Sequence, residues 1–336
     1  MTTAAHLAEL AWPPLGYPNA AALAQAMGAL QRAGHDRLPL PGSGQTLARW
    51  QALAAMGGHD LALCKLYEGH TDALAIMAEL NAPATPTGSL WGTWAAEPPQ
   101  ARVEVRRTTD GWQLHGRKAW CSGAAVLTHG LLTAWDEQGQ QQLVAVALQQ
   151  PGVAVSDGGW VAVGMAATAS GTVQFDGAQA SLVGGPGDYL ARPGFWQGAI
   201  GIAACWFGAA RQLGRVLQAH CAQRDEPHAL AHLGAVDTAL YAAACVLRDC
   251  AEAVDRQPEA DVALLARRAR SVVERVAEQV IQHTGRALGA GPYCQQAHFA
   301  RLIADLPVFL RQSHAERDLA HQARLLDTGT QRIWTL

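Results

Sequence analysis

Hydrophobic spacing changes period twice along this chain, near residue 85 and again near residue 193. That double switch constrains the fold strongly, because side chains on a helix repeat every 3.6 residues and on a strand every two. Up to residue 84 the chain is rich in alanine and leucine at helical spacing. Helices are predicted over 20–33, 44–56 and 59–80, divided by breakers such as Pro39-Leu-Pro-Gly42. From 85 to 192 short alternating runs take over, at 101–107, 112–115, 142–148, 152–156 and 171–175. Glycine and proline separate them, which predicts an antiparallel β unit. Four long helical segments follow, 195–223, 229–256, 259–288 and 297–326, and their short connections predict an up-and-down bundle. The expected fold is α+β: an N-terminal helical domain (1–84), a central antiparallel β-domain (85–192) and a C-terminal four-helix bundle (193–336). With 336 residues, 49% hydrophobic and 16% charged, the chain can bury a sizeable core.

A formal charge of −3 argues against nucleic acid or an anionic membrane as partner. Seven cysteines lie scattered, none in CxxC spacing. That pattern fits reduced thiols in a cytoplasmic protein and offers no zinc site. Met1 to Leu10 lacks the basic and long apolar regions of an export signal. The uncharged stretch 194–210 reads as a buried bundle helix rather than a membrane span. His220, His228 and His232 gather near one helix junction without metal-ligand spacing, and Glu274 and Glu278 with Arg270 and Arg275 read as an ion-paired helix face.

The segment Gly111-Trp-Gln-Leu-His-Gly-Arg-Lys-Ala-Trp-Cys-Ser-Gly-Ala124 carries the most chemistry. Trp112 and Leu114 alternate with Gln113 and His115, Gly116 is expected to turn the chain, and a second strand follows. Trp120 and Ser122 are two residues apart, so on a strand both point to one face. An indole beside a hydroxyl suits a flat, polar-edged ligand such as a flavin ring. The plainer reading is a β-hairpin with core tryptophans.

Four ordered motifs carry a resemblance. They are Trp94-Ala-Ala-Glu-Pro98; Gly111 to Ser122, as G-W-x-L-x-G-x-K-x-W-x-S; Gly164-Met-Ala-Ala-Thr168 with Val173-Gln-Phe175; and Gly289-Ala-Gly-Pro-Tyr293 with Arg301 and Asp305. In this order, over roughly residues 40 to 326, the chain resembles the acyl-CoA dehydrogenase flavoprotein superfamily. The resemblance implies FAD, with Trp120 packed against the isoalloxazine, Ser122 at its N5 edge, and Trp94 and Ala96 supplying backbone donors to its pyrimidine side. It also implies Arg224, Arg286, Gly289 and Gly291 at the pyrophosphate of a neighbouring subunit's FAD, and hence a homodimer or homotetramer. The implied reaction is α,β-oxidation of an acyl thioester, on coenzyme A or a carrier protein, with an acceptor such as an electron-transfer flavoprotein.

The sequence departs from that family where the chemistry is done. The usual catalytic glutamate position is Ser313, and a serine hydroxyl is no base without an activating partner. The other family position for the base, within 195–199, has no carboxylate either. His314 is the adjacent candidate base, its ordinary pKa of about 6.5 being suited to proton transfer. Arg224 is followed by Asp-Glu-Pro-His, with Pro227 in place of the family's aromatic residue. The loop after Pro98 is short, and Ala166 stands where arginine is common, which weakens the expectation for coenzyme A more than that for flavin. Two other functions therefore stand beside the dehydrogenase: a flavin-dependent monooxygenase of the same fold, and a catalytically inactive flavin-binding or scaffold protein.

Overall fold

The computed structural model describes Leu7, residues 16–326 and Trp334. Three helices come first: α1 (Ala20–Arg32), α2 (Thr46–His59) and α3 (Leu61–Glu79). Asn19 caps α1 by accepting the Ala22 N–H, and Asp60 caps α3 by accepting that of Leu63. Asp60 thus ends one helix and starts the next. Helix α3 is buried on nearly every side, its polar Glu68, His70 and Thr71 included.

Seven strands follow: β1 (Trp91–Trp94), β2 (Val103–Thr108), β3 (Gly111–Cys121), β4 (His129–Trp135), β5 (Gln141–Ala147), β6 (Val153–Ser156) and β7 (Gly171–Val183). Their order is β1-β4-β2-β3-β7-β5, and β5 pairs back onto β4. Five strands therefore close into a small barrel, with β1 added beside β4 and β6 beside β7. The pairing is mixed rather than purely antiparallel, since β1 and β2 both run parallel to β4.

The expected turn at Gly116 does not exist. Strand β3 runs unbroken through that residue, with Gly116 opposite Val103 on one side and Phe175 on the other. Gly116 has φ +106°, and a Cβ there would sit 2.3 Å from the Arg102 carbonyl oxygen. The glycine admits a close strand approach, not a reversal.

A short helix α4 (Asp188–Ala191) leads into three long ones, α5 (Gly194–Cys221), α6 (Pro227–Arg256) and α7 (Ala263–Leu288). Helix α8 (Gly291–Gln295) then precedes α9 (Ala297–Leu310) and α10 (Glu316–Leu326). The fourth predicted bundle segment, 297–326, is thus two helices broken at 311–315, where Ala315 has φ +45°. Helix α5 is largely buried, as expected for 194–210. Among the described residues, α6 alone is long and apolar enough to cross a membrane by length and composition. One hydrophobic cluster runs continuously from α1–α3 through the barrel interior to α5–α9.

Candidate functional site

The four sequence motifs meet as packing partners. Lys118 of β3 is 1% exposed. Its ammonium donates to Glu97 Oε1 at 2.7 Å and to the Thr133 carbonyl and hydroxyl at 2.9 and 2.7 Å. Burial pushes the Glu97 carboxyl up, but hydrogen bonds from Lys118, Thr133 and Trp135 hold it below the usual carboxylate value. The lysine and the glutamate of two separate motifs thus tie the 95–98 turn to the barrel wall. Asp305 of α9 accepts the Met165 N–H and fixes the turn after Gly164, where Met165 has φ +59°. A Cβ at Gly164 would lie 2.0 Å from the Ala304 carbonyl oxygen, so this loop lies directly on α9.

Trp120 sits in a bulge of β3, between the Lys118–Val173 and Cys121–Gly171 pairs, with φ +61°. Strand alternation fails there, so Trp120 and Ser122 do not face one enclosed slot. Trp120 is 57% exposed, and its indole meets that of Trp160 edge to face at 6.3 Å. Val161, Val163 and Val308 are exposed as well. Ser122 turns the other way, into a hydroxyl chain. Thr168 Oγ1 donates to the Met165 carbonyl at 2.8 Å, which uses its one proton. Ser170 must then donate to Thr168, at 2.9 Å, and Ser122 to Ser170, at 2.7 Å. The Ser122 hydroxyl is therefore left with acceptor capacity alone.

Trp94 is opposite Leu132 in the ladder, and its indole is buried against Gly92 and Gly130 while donating to the Ser122 carbonyl at 3.2 Å. Ala96 lies past the strand end and is exposed. A crevice of about 10 Å³ separates Ser122, Thr93 and Trp94 from Lys65, Leu66 and Gly69 of α3. That is room for about one water.

Lys65, which lines this crevice, and its partner Glu68 are buried ionisable groups that sequence reasoning missed. Their side chains are 17% and 5% exposed and form a close ion pair. The signal was available: charges among the apolar residues of a buried helix must be paired inside. Lys65 also passes the Phe309 ring, at 6.0 Å.

Ser313 is 8% exposed, and its hydroxyl accepts the Ala315 N–H at 3.0 Å. His314 is not gathered with it. Its side chain is 57% exposed, its backbone N–H donates to Asp318, and its ring Nδ1 stands 3.7 Å from the same carboxylate. Arg270 holds the break open by donating to the Gln312 and Ala199 carbonyls. Glu274 and Glu278 pair with Arg311, both at 3.1 Å, rather than with Arg270 or Arg275.

Arg224 and Arg286 are exposed at the same end of the bundle, where His232 and His283 also meet at 2.9 Å between Nδ1 atoms. Gly289, at φ +63°, ends α7, and neither it nor Gly291 has atoms near the position of a Cβ. Among the described residues no hydrogen bond or ion pair links that end to the Trp120 bulge.

The fold is shared with solved flavoenzymes. FMN-bound TdsC from Paenibacillus sp. A11-2 superposes with a TM-score of 0.73 at 18% identity, over 91% of this chain and 96% of that one. A structure of the same protein is described as dibenzothiophene monooxygenase. KijD3, in complex with FMN and a dTDP-linked amino-keto sugar, gives 0.75 at 19% identity, over 94% of this chain and 88% of that one. A putative acyl-CoA dehydrogenase from Mycobacterium smegmatis gives 0.79 at 14%, over 90% and 89%. The architecture is thus that of the acyl-CoA dehydrogenase-like flavoproteins, as the motifs implied. No protein-family model matches the chain, and no curated protein does.

Proposed function

We propose that the chain is a flavin-dependent oxidoreductase in which Trp120 is the platform for the flavin ring. The observation that carries this reading is the exposed Trp120, whose indole stands edge to face with Trp160 in a bulge of the strand. The residues fit a flavin laid on the open side of Trp120. They do not fit one inserted between β1 and α3, where the crevice holds about 10 Å³. A bound flavin would supply a two-electron acceptor or, once reduced, a centre for oxygen activation. The protein's share is a stacking surface at Trp120, with the exposed Ala96 past the end of β1. FAD, rather than FMN, would further engage Arg224 and Arg286, whose guanidinium forks suit a diphosphate. Because these arginines are not linked to the Trp120 bulge within one chain, that role belongs to a homodimer or homotetramer.

Between the two reactions, oxygen-dependent oxidation is favoured. Removing an α-proton from a thioester requires a base within reach. Ser313 is buried under its own turn, and His314 is exposed and paired with Asp318. Monooxygenation does not require a carboxylate at position 313. Desaturation of an acyl thioester, on coenzyme A or a carrier protein and with an electron-transfer flavoprotein as acceptor, is the second reading. It is supported by the ordered motifs, which the fold brings together through Lys118–Glu97 and Asp305–Met165.

Two assays on flavin-loaded protein separate these readings. Oxygen uptake driven by NADH and a separate flavin reductase, above the reductase blank and coupled to oxidation of an added aromatic or amine substrate, is the expected result. Bleaching of the flavin band by acyl-CoA under anaerobic conditions would reverse the order. A chain that takes up neither FMN nor FAD would leave the scaffold reading and remove the enzyme proposal.

A further inference from the structure

We propose that the cavity between residues 82–86 and the outer face of the barrel binds an uncharged aromatic small molecule that donates one hydrogen bond, through an N–H or O–H, to His129. The inference goes beyond the flavin reading and stands without it. The cavity is lined by 179–183 of β7, whereas the Trp120 bulge lies against Gly171 and Val173 at the other end of that strand.

Size, lining and hydrogen bonding carry the inference. The cavity holds about 540 Å³, within the range of small-molecule sites, against about 10 Å³ for the crevice at Lys65. Its floor is the outer face of β4, β5 and β7. At one end of that face Leu131, Leu143 and Val183 are buried together with Ile76 and Met77 of α3. Next along it come Ala145 and Ala147 of β5 and Ser181 of β7, small side chains that leave the space open. A sheet face left to water ordinarily carries polar side chains. Here no Asp, Glu, Lys or Arg is among the lining residues. Such a lining offers no counter-ion to a phosphate or carboxylate, so it selects an uncharged occupant. The opposite wall is fixed before anything binds. The Ala82 N–H donates to the Met77 carbonyl at 2.8 Å, and Ser89 donates through its N–H and its hydroxyl to the Pro86 carbonyl at 3.1 and 2.7 Å. Pro83 and Pro86 hold φ between those ties. Trp91 and His129 form the aromatic end, their rings stacked at 4.6 Å. Burial lowers the His129 pKa, so its ring is neutral at pH 7. Thr128 Oγ1 donates to the Leu90 carbonyl at 3.0 Å, which uses its one proton. His129 Nδ1, 2.9 Å from that oxygen, must therefore donate to it. Nε2 is then an acceptor, and among the described residues no hydrogen bond engages it. An aromatic N–H or O–H satisfies it while the ring packs over the alanines.

The test is a fluorescence titration of the full-length chain with N-phenyl-1-naphthylamine, an uncharged aromatic probe with one N–H. Saturable binding of one probe per chain is expected. Its sulfonated counterpart, 8-anilinonaphthalene-1-sulfonate, should not displace it at equal concentration. Ala147→Phe and Ser181→Trp fill the cavity from positions outside the buried core, and each should weaken probe binding at least about tenfold. His129→Phe keeps a ring against Trp91 and removes the acceptor, and should weaken it about fivefold. If one filling variant does not fold, the other decides. Unchanged binding in the filling variants overturns the inference. So does weakening by Trp120→Ala, which would place the probe at the exposed indole instead. Displacement by the sulfonate at equal concentration, or no saturable binding by the wild-type chain, overturns it as well.

Discussion

Asp305 shows how much one motif residue does without touching a ligand. Burial, reinforced by the charge of Asp60, pushes its carboxyl from 3.8 up to about 6, against the opposing Met165 N–H and Arg301. Between those values the folded chain holds a proton that the unfolded chain releases. The sign is therefore that of a raised acid. The Asp305 contribution is most favourable below about pH 4, and it declines as pH rises through about 6, by on the order of 3 kcal/mol in total. Asp305→Asn keeps an acceptor for Met165 and removes the titration. Urea unfolding at pH 4, 5 and 7 should show the variant gaining relative to wild type as pH rises, and a constant difference would contradict the raised pKa. At this scale the sequence was partly legible. Lys118, Glu97, Arg301 and Asp305 stood out as motif members, but that they act by tying strands and turns together becomes visible only when the partners are adjacent. Lys65 and Glu68 belong to no motif, and only their helix's apolar surroundings betray them. His314 stood out for its titration range, yet its neighbour Asp318 and its exposure place it at the surface.

At the scale of elements, two glycine contacts set how closely α2 and α5 cross. A Cβ at Gly208 would sit 1.9 Å from the Ala54 carbonyl oxygen, and one at Gly57 would sit 2.2 Å from that of Cys205. Both contacts are with helix backbone, which cannot rotate away. Gly208→Ala is expected to cost about 1–3 kcal/mol by prising the helices apart. Gly234→Ala on α6 meets nothing within 4 Å. It should stabilise the chain by up to about 1 kcal/mol, as alanine does in an open helix position. Chemical denaturation of the pair checks both signs. Element prediction succeeded where the periodicity was clean, as in α1 and α7, and failed for physical reasons elsewhere. Strand β4 is buried along Gly130–Ala134, so His129–Trp135 shows no alternation to read. Strand β1 is four residues long. The break between α9 and α10 has neither glycine nor proline in Arg311-Gln-Ser-His-Ala315, and it is held instead by Arg270 from another helix. The Gly116 turn failed because that glycine serves strand contact, not reversal.

For the whole molecule, the order of helices, barrel and bundle was legible because each block has its own period. The barrel's closure through parallel β4 was not, since strand order leaves no trace in local spacing. The enclosed slot at Trp120 and Ser122 was inferred from regular alternation, and the bulge at residues 118–121 removes the alternation on which it depended. A ligand that binds the folded chain alone must stabilise all of it. Flavin at 100 times its dissociation constant should add about 2.7 kcal/mol to unfolding, seen as a rise in melting temperature that scales with flavin concentration. Lumichrome or riboflavin, which lack the diphosphate, should retain much of this if Trp120 carries the contact. They should lose it if Arg224 and Arg286 do.

The central claim is that the exposed indole of Trp120 is the seat of a flavin ring, and titration of wild-type and Trp120→Ala protein with FMN, followed by visible absorbance, tests it most directly. Truncating an exposed side chain leaves the core intact, so the variant should fold and bind FMN at least tenfold more weakly than wild type. Equal binding by the two proteins, or no binding by either, would contradict the account.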